Sequence, residues 1–143
     1  MNNPPFKVLG IEHIALAVED VKQPSDFFGL LLGIEHTSCE EVIDQKVNTH
    51  VFNTGKGKVE LLDSISDDSP ISNFLKKRGE GVHHVAFKVD KLQSALDYLH
   101  KKGIKLIDHK PKIGAEGLLI AFLHPKSTNG VLIELCQENN LDL

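Results

Sequence analysis

Two short segments of this chain return about half its length later, and that echo constrains the fold more than any other feature. Ile11-Glu12-His13-Ile14-Ala15 returns as Val82-His83-His84-Val85-Ala86, which places His84 71 residues after His13. Val59-Glu60-Leu61-Leu62 returns as Ile133-Glu134-Leu135, which places Glu134 74 residues after Glu60. Two echoes at nearly one offset imply two copies of a single supersecondary unit rather than chance similarity.

Hydrophobic periodicity gives each copy the same element order. Leu9 to Val18 alternates as a strand, and Asp20 to Leu32 follows as a helix carrying Val21, Phe28, Leu31 and Leu32, stopped by Gly33. Thr37 to Glu41, Val47 to Asn53 and Lys58 to Asp63 read as strands, the last two joined at Gly55-Lys56-Gly57. A Ser/Asp-rich linker, Ser64 to Pro70, runs into a short helix with Ile71, Phe74 and Leu75 at helical spacing. The second copy has a strand at Val82 to Val89 and a helix from Lys91 to Lys102. That helix sets Leu92, Ala95, Leu96 and Leu99 on one face before Gly103. Leu106, Leu118 to Leu123 and Val131 to Gln137 supply its other strands, and Glu138 to Leu143 is expected to fray. The chain is therefore expected to be α+β, two tandem βαβββ modules in one domain over residues 7–137. Module one covers about 7–66 and module two about 78–137.

Strand parity turns the echo into chemistry. Side chains alternate across a strand, so His13 shares a face with Ala15 and Ala17, and His84 shares one with Val82 and Ala86. Glu60 points away from Val59 and Leu61, and Glu134 away from Ile133 and Leu135. Each polar residue thus faces away from the aliphatic side that a helix would cover. Taken singly, a strand His or Glu is more often a surface residue. Taken together, two histidines and two carboxylates can satisfy one another around a divalent cation, whose charge the carboxylates neutralise. The small Ala15 and Ala86 would leave room for a ligand over it.

The remaining histidines, His36, His50, His100, His109 and His124, are assigned to surfaces, helix ends or loops. His83 faces away from His84. Cys39 and Cys136 read as buried thiols, since two cysteines make a poor disulfide framework and suit a reducing cytoplasm. The composition, 41% hydrophobic and 25% charged, is that of an ordinary folded domain, with no apolar run near the ~20 residues of a membrane span. A net charge of −4 argues against a nucleic-acid partner.

With Gly10 to Ala15 and Gly81 to Ala86 each opening a βαβββ module, the chain resembles the vicinal oxygen chelate (glyoxalase/bleomycin resistance) superfamily. Within it, Val59 to Leu62, Gly81 to Val89 and, above all, the run from Phe122 through His124-Pro125-Lys126-Ser127 to Gly130-Val131-Leu132-Ile133-Glu134-Leu135 are similar to the methylmalonyl-CoA epimerases. That resemblance implies a cupped mixed sheet holding one divalent metal ion per chain through His13, Glu60, His84 and Glu134. Co²⁺ is favoured, with Zn²⁺, Mn²⁺ or Ni²⁺ as alternatives. It implies a CoA thioester as the small-molecule substrate and a homodimer, with neither nucleic acid nor membrane as partner. It also implies an acid/base carboxylate at Asp44, before Gln45, where the family usually has the longer Glu. Glu134 is the second proton-transfer group, and Lys110, Lys112 and Lys126 are cations for the CoA phosphates. A glyoxalase I-type lyase acting on a glutathione adduct is the alternative enzyme, since the same four ligands serve both. A metal-free small-molecule binder of the same fold is the alternative outside catalysis.

Overall fold

A computed structural model describes residues 3–35 and 38–140. Its strands are β1 (Val8–Ala17), β2 (Ser38–Val42), β3 (Val47–Asn53), β4 (Lys58–Ser64), β5 (Gly81–Val89), β6 (Lys112–Ile113), β7 (Leu119–Leu123) and β8 (Leu132–Gln137). Its helices are α1 (Lys22–Leu32), α2 (Pro70–Arg78) and α3 (Leu92–Lys101). The chain divides into two compact units, His13–His83 and Met1–Glu12 with His84–Leu143.

In the unit His13–His83 the strand order is β2-β3-β4-β1. β1 runs parallel to β4, while β2, β3 and β4 are antiparallel neighbours. Parallel neighbours need a long crossover, and α1 with β2 and β3 supplies it. The αL conformation of Gly33 (φ 68°) ends α1, a geometry that costs glycine nothing. On one sheet face Val21, Phe28 and Leu32 pack on Val18, Phe52 and Leu61. On the other, Ala15, Ala17, Val47 and Leu62 cluster with Ile71, Leu75 and Phe74 of α2. The second helix therefore covers part of the face that carries the polar residues.

The other unit repeats this arrangement. Its order is β5-β8-β7-β6, with β5 parallel to β8 and the remaining pairs antiparallel. The apolar stripe of α3 buries Leu92, Ala95 and Leu96 against Val89, Ala121, Leu123 and Leu135. Leu92 and Leu96 are wholly buried, and burial of each such side chain is worth ~1.5–3 kcal/mol. The opposite face gathers Ala86, Leu118, Ile120, Phe122 and Cys136. The repeated order of one parallel and two antiparallel pairs is the α+β fold expected of tandem βαβββ modules.

Four details differ from the sequence expectation. Leu106 forms only an isolated bridge to Leu123, and the edge strand is the two-residue β6, too short to show any periodicity. α1 starts two residues later than Asp20, whose carboxylate instead accepts a hydrogen bond from the Lys22 amide. Glu138, placed in the expected fraying tail, accepts a 2.6 Å hydrogen bond from Lys88 Nζ. Cys39 is exposed, and only Cys136 is a buried thiol. His36, the strand start at Thr37 and the tail residues 141–143 lie outside the described residues.

Candidate active site

Each unit carries one buried histidine–glutamate couple at the same position in its sheet. In the first, Ala15 is paired with Glu60 across β1 and β4, and His13 lies two residues before Ala15. In the second, Ala86 is paired with Glu134 across β5 and β8, and His84 lies two residues before Ala86. Side chains so placed share a face and sit on a diagonal, within mutual reach. His13 Nδ1 lies 3.3 Å from Glu60 Oε2, and His84 Nε2 lies 3.4 Å from Glu134 Oε2. All four residues are at most 5% exposed, so the surface-residue reading of any one of them is overturned.

The donor set fits a divalent cation. Metal–nitrogen and metal–oxygen bonds of ~2.0–2.2 Å at near-tetrahedral or octahedral angles separate neighbouring ligand atoms by roughly 2.9–3.5 Å. Both couples fall in that interval, beyond the usual length of a charge-assisted hydrogen bond. Imidazole nitrogen with carboxylate oxygen suits first-row divalent metals, and two such couples would supply both neutral and anionic ligands.

The surroundings are buried. Val47, Thr49 and Val51, on the Glu60 side of β3, are all buried, and Val51 is directly opposite Glu60. Phe122 is directly opposite Glu134 and meets the His84 ring edge-on, with centroids 5.4 Å apart and planes at 90°. The Asp108 carboxylate accepts the Phe122 amide at 2.9 Å and pairs with Lys112 at 3.3 Å. Lys112 Nζ in turn lies 5.4 Å from the centre of the Phe122 ring. Sequence reasoning missed Phe122 as a neighbour of His84. The signal was its place two residues before His124-Pro125, in register with Glu134.

The other expected site residues lie elsewhere in their units. Asp44 is exposed, in a one-turn 3₁₀ segment Ile43–Gln45 that precedes β3. Lys110 and Lys126 are exposed, and the Lys126 amide donates to His124 Nδ1 at 3.0 Å. His50 was expected at the surface, yet its side chain is only 12% exposed and contacts Asp63 Oδ1 at 2.8 Å. Extended β3 carries it inward there. His83 is half-buried against the Phe74 ring, and His100 and His109 stack edge-to-face on the surface.

Residues 12–122 match the model of the glyoxalase/bleomycin resistance protein/dioxygenase superfamily. The chain is 42% identical to the Bacillus subtilis protein YqjC over 89% of its own length and 91% of that protein. It is 38% identical to the mitochondrial methylmalonyl-CoA epimerase of Mus musculus over 95% of its length and 77% of that protein. A solved methylmalonyl-CoA epimerase, in complex with methylmalonyl-CoA and NH4+, is 30% identical. It superposes with a TM-score of 0.86 over 94% of this chain and 98% of that one.

Proposed function

Because the chain belongs to the glyoxalase/bleomycin resistance protein/dioxygenase superfamily and, within it, to the methylmalonyl-CoA epimerase family, we propose that it interconverts the (R) and (S) forms of methylmalonyl-CoA by proton transfer at C2, with one divalent cation bound per chain. The observation that carries this reading is the pair of buried His–Glu couples at equivalent register. His13, Glu60, His84 and Glu134 would hold the cation, of the Co²⁺, Zn²⁺, Mn²⁺ or Ni²⁺ type. When bound, it supplies Lewis-acid stabilisation of negative charge developing on the substrate's oxygens.

What the chain's own groups must do follows from the chemistry at C2. The hydrogen there is acidified by the thioester carbonyl, and inversion requires its removal from one face and return of a proton to the other. Two proton-transfer groups are therefore needed. The Asp44 carboxylate takes the C2 proton as the C–H electrons move into the thioester, giving an enolate. Glu134, starting in its protonated form, delivers that proton to the opposite face of C2 and is left as the carboxylate while the carbonyl is restored. Asp44 is left protonated, and the reverse reaction exchanges the two roles. Lys110, Lys112 and Lys126 offer cations for the CoA phosphates. The apolar side chains around Glu134 keep water from that face and so strengthen its electrostatics.

The reading is tested by incubating metal-replete protein with methylmalonyl-CoA in D₂O. Deuterium should enter C2 and the two epimers should equilibrate. Absence of exchange, with turnover of methylglyoxal plus glutathione instead, would transfer the chain to the lyase branch of the superfamily.

A further inference from the structure

The turn that carries Asp44 is too short to fix its own position. It closes on a single hydrogen bond, from the Lys46 amide to the Ile43 carbonyl at 3.0 Å. Lys46 ends it in the left-handed region (φ 55°), which residues with a Cβ adopt only when their surroundings hold them there. The surroundings here are a second loop. The Lys46 carbonyl accepts the Ile65 amide at 3.1 Å, and Lys46 Nζ reaches Asp68 Oδ2 at 2.5 Å. The other oxygen of Asp68 accepts the Ser66 hydroxyl at 2.6 Å.

That loop is itself pinned. The hydroxyls of Ser64 and Ser69 are 2.7 Å apart, and Ser72 Oγ donates to Ser64 Oγ at 2.6 Å. Ser69 is fully buried and caps α2 by accepting the Ser72 amide at 3.0 Å. From there α2 packs Ile71 and Leu75 on Ala15, Ala17 and Leu62, which belong to the strands that carry His13 and Glu60. An unbroken series of short contacts thus runs from Asp44 to the couple on β1 and β4.

We propose that Lys46 and Asp68 are positioning residues, a clasp that fixes the Asp44 carboxylate relative to the His13–Glu60 couple. This rests on Asp44 as a proton-transfer group. Ionisation of Asp68 favours the clasp, because Lys46 and Ser66 hold its carboxyl down to about 2. A proton-transfer group misplaced by an ångström loses turnover before it loses substrate affinity.

The test measures kcat and KM for deuterium exchange at C2 in Asp68→Asn, Lys46→Met, Lys46→Arg and Lys46→Gly. The first two should lower kcat about tenfold with KM within about twofold, a loss smaller than the ~10² of a full misplacement. Their double variant should be no worse than either single one, since the pair acts as a unit. Lys46→Arg keeps the charge and should recover most of the rate. Lys46→Gly removes the left-handed strain together with the clasp. Its melting temperature should match or exceed that of the wild type while kcat falls, an opposition that a merely structural role does not produce. Wild-type kcat in Asp68→Asn and Lys46→Met, alongside an inactive Asp44→Asn, overturns the clasp and leaves the Asp44 reading standing. Wild-type kcat in Asp44→Asn overturns both.

Discussion

Ala86 stands directly opposite Glu134 in the parallel pairing of β5 with β8, and it is fully buried. Ala15 holds the same relation to Glu60. On its parallel side each buried carboxylate thus faces only a methyl group, whereas Val51 and Phe122 face it from the antiparallel side. Enlarging that methyl group should be costly twice over. Ala86→Leu is expected to lose ~1–3 kcal/mol of stability by overpacking. In urea denaturation it should show that loss, and the folded protein should also retain less divalent metal. Full metal retention would mean that the alanine serves packing alone.

The proposed ligation is tested by removing one of its side chains. His84→Ala and Glu134→Ala should each carry strongly reduced metal after purification in a metal-supplemented buffer, read by mass spectrometry of the digested protein. Loss of either side chain also leaves the other member of its couple buried without its former neighbour, so some loss of stability accompanies the change. Wild-type metal content in both variants would end the four-ligand reading.

The element order was legible because each strand and helix is long enough to display its period. The two His–Glu couples were legible because parity alone fixes which residues share a face. Register added what parity could not: that Ala15 and Ala86 are the residues opposite the glutamates. The Asp44 turn was not legible because Ile43-Asp44-Gln45-Lys46 holds no Gly or Asn to announce a left-handed residue. Only the distant partners Ile65 and Asp68 hold Lys46 in that conformation. The same limit hid β6, whose two residues take their pairing from β7 rather than from any local pattern.

Gly114 tests how tightly the Glu134 side is built. A Cβ placed there would lie 2.7 Å from Ile120 Cδ1 and 2.8 Å from Ile120 Cγ2. Ile120 is β-branched and 3% exposed, so its side chain has little freedom to swing aside. Gly114→Ala should therefore destabilise by ~1–3 kcal/mol despite the higher intrinsic stiffness of alanine. The double change Gly114→Ala with Ile120→Val, which gives space back, should recover part of the loss. Additive losses would show that the two positions do not touch.

Asp68 makes one small contribution to the acid side of the stability profile. Its carboxyl is lowered from 3.8 to about 2 by Lys46 and Ser66, so the folded state binds its proton more weakly than the unfolded chain does. A depressed carboxyl stabilises above its unfolded value, and that contribution disappears as pH falls through the folded value. The difference in melting temperature between wild type and Asp68→Asn should therefore be constant from pH 7 to 5, shrink below about 4, and vanish only below about 2. The pair is exposed, so the difference should be small and should shrink further in ~1 M salt. A gap that grew on acidification would mean that Asp68 is not held ionised by Lys46.

Asp44 carries the proposal's sharpest consequence. A positioned acid or base contributes ~10²–10⁴-fold, so Asp44→Asn should lower the rate of C2 exchange on that scale. Its metal content should be unchanged, because Asp44 lies on an exposed turn and is not one of the four buried residues proposed as ligands. Asp44→Glu extends the carboxylate by one methylene to the residue usual in the family and should retain far more activity than Asn. The two-group scheme adds a directional signature. If Asp44 serves one face of C2 and Glu134 the other, deuterium wash-in from one epimer should fall more in Asp44→Asn than wash-in from the other epimer. Equal losses from both epimers would place a single group on both faces, and turnover within about twofold of the wild type, far below the general-base range, would remove Asp44 from the mechanism.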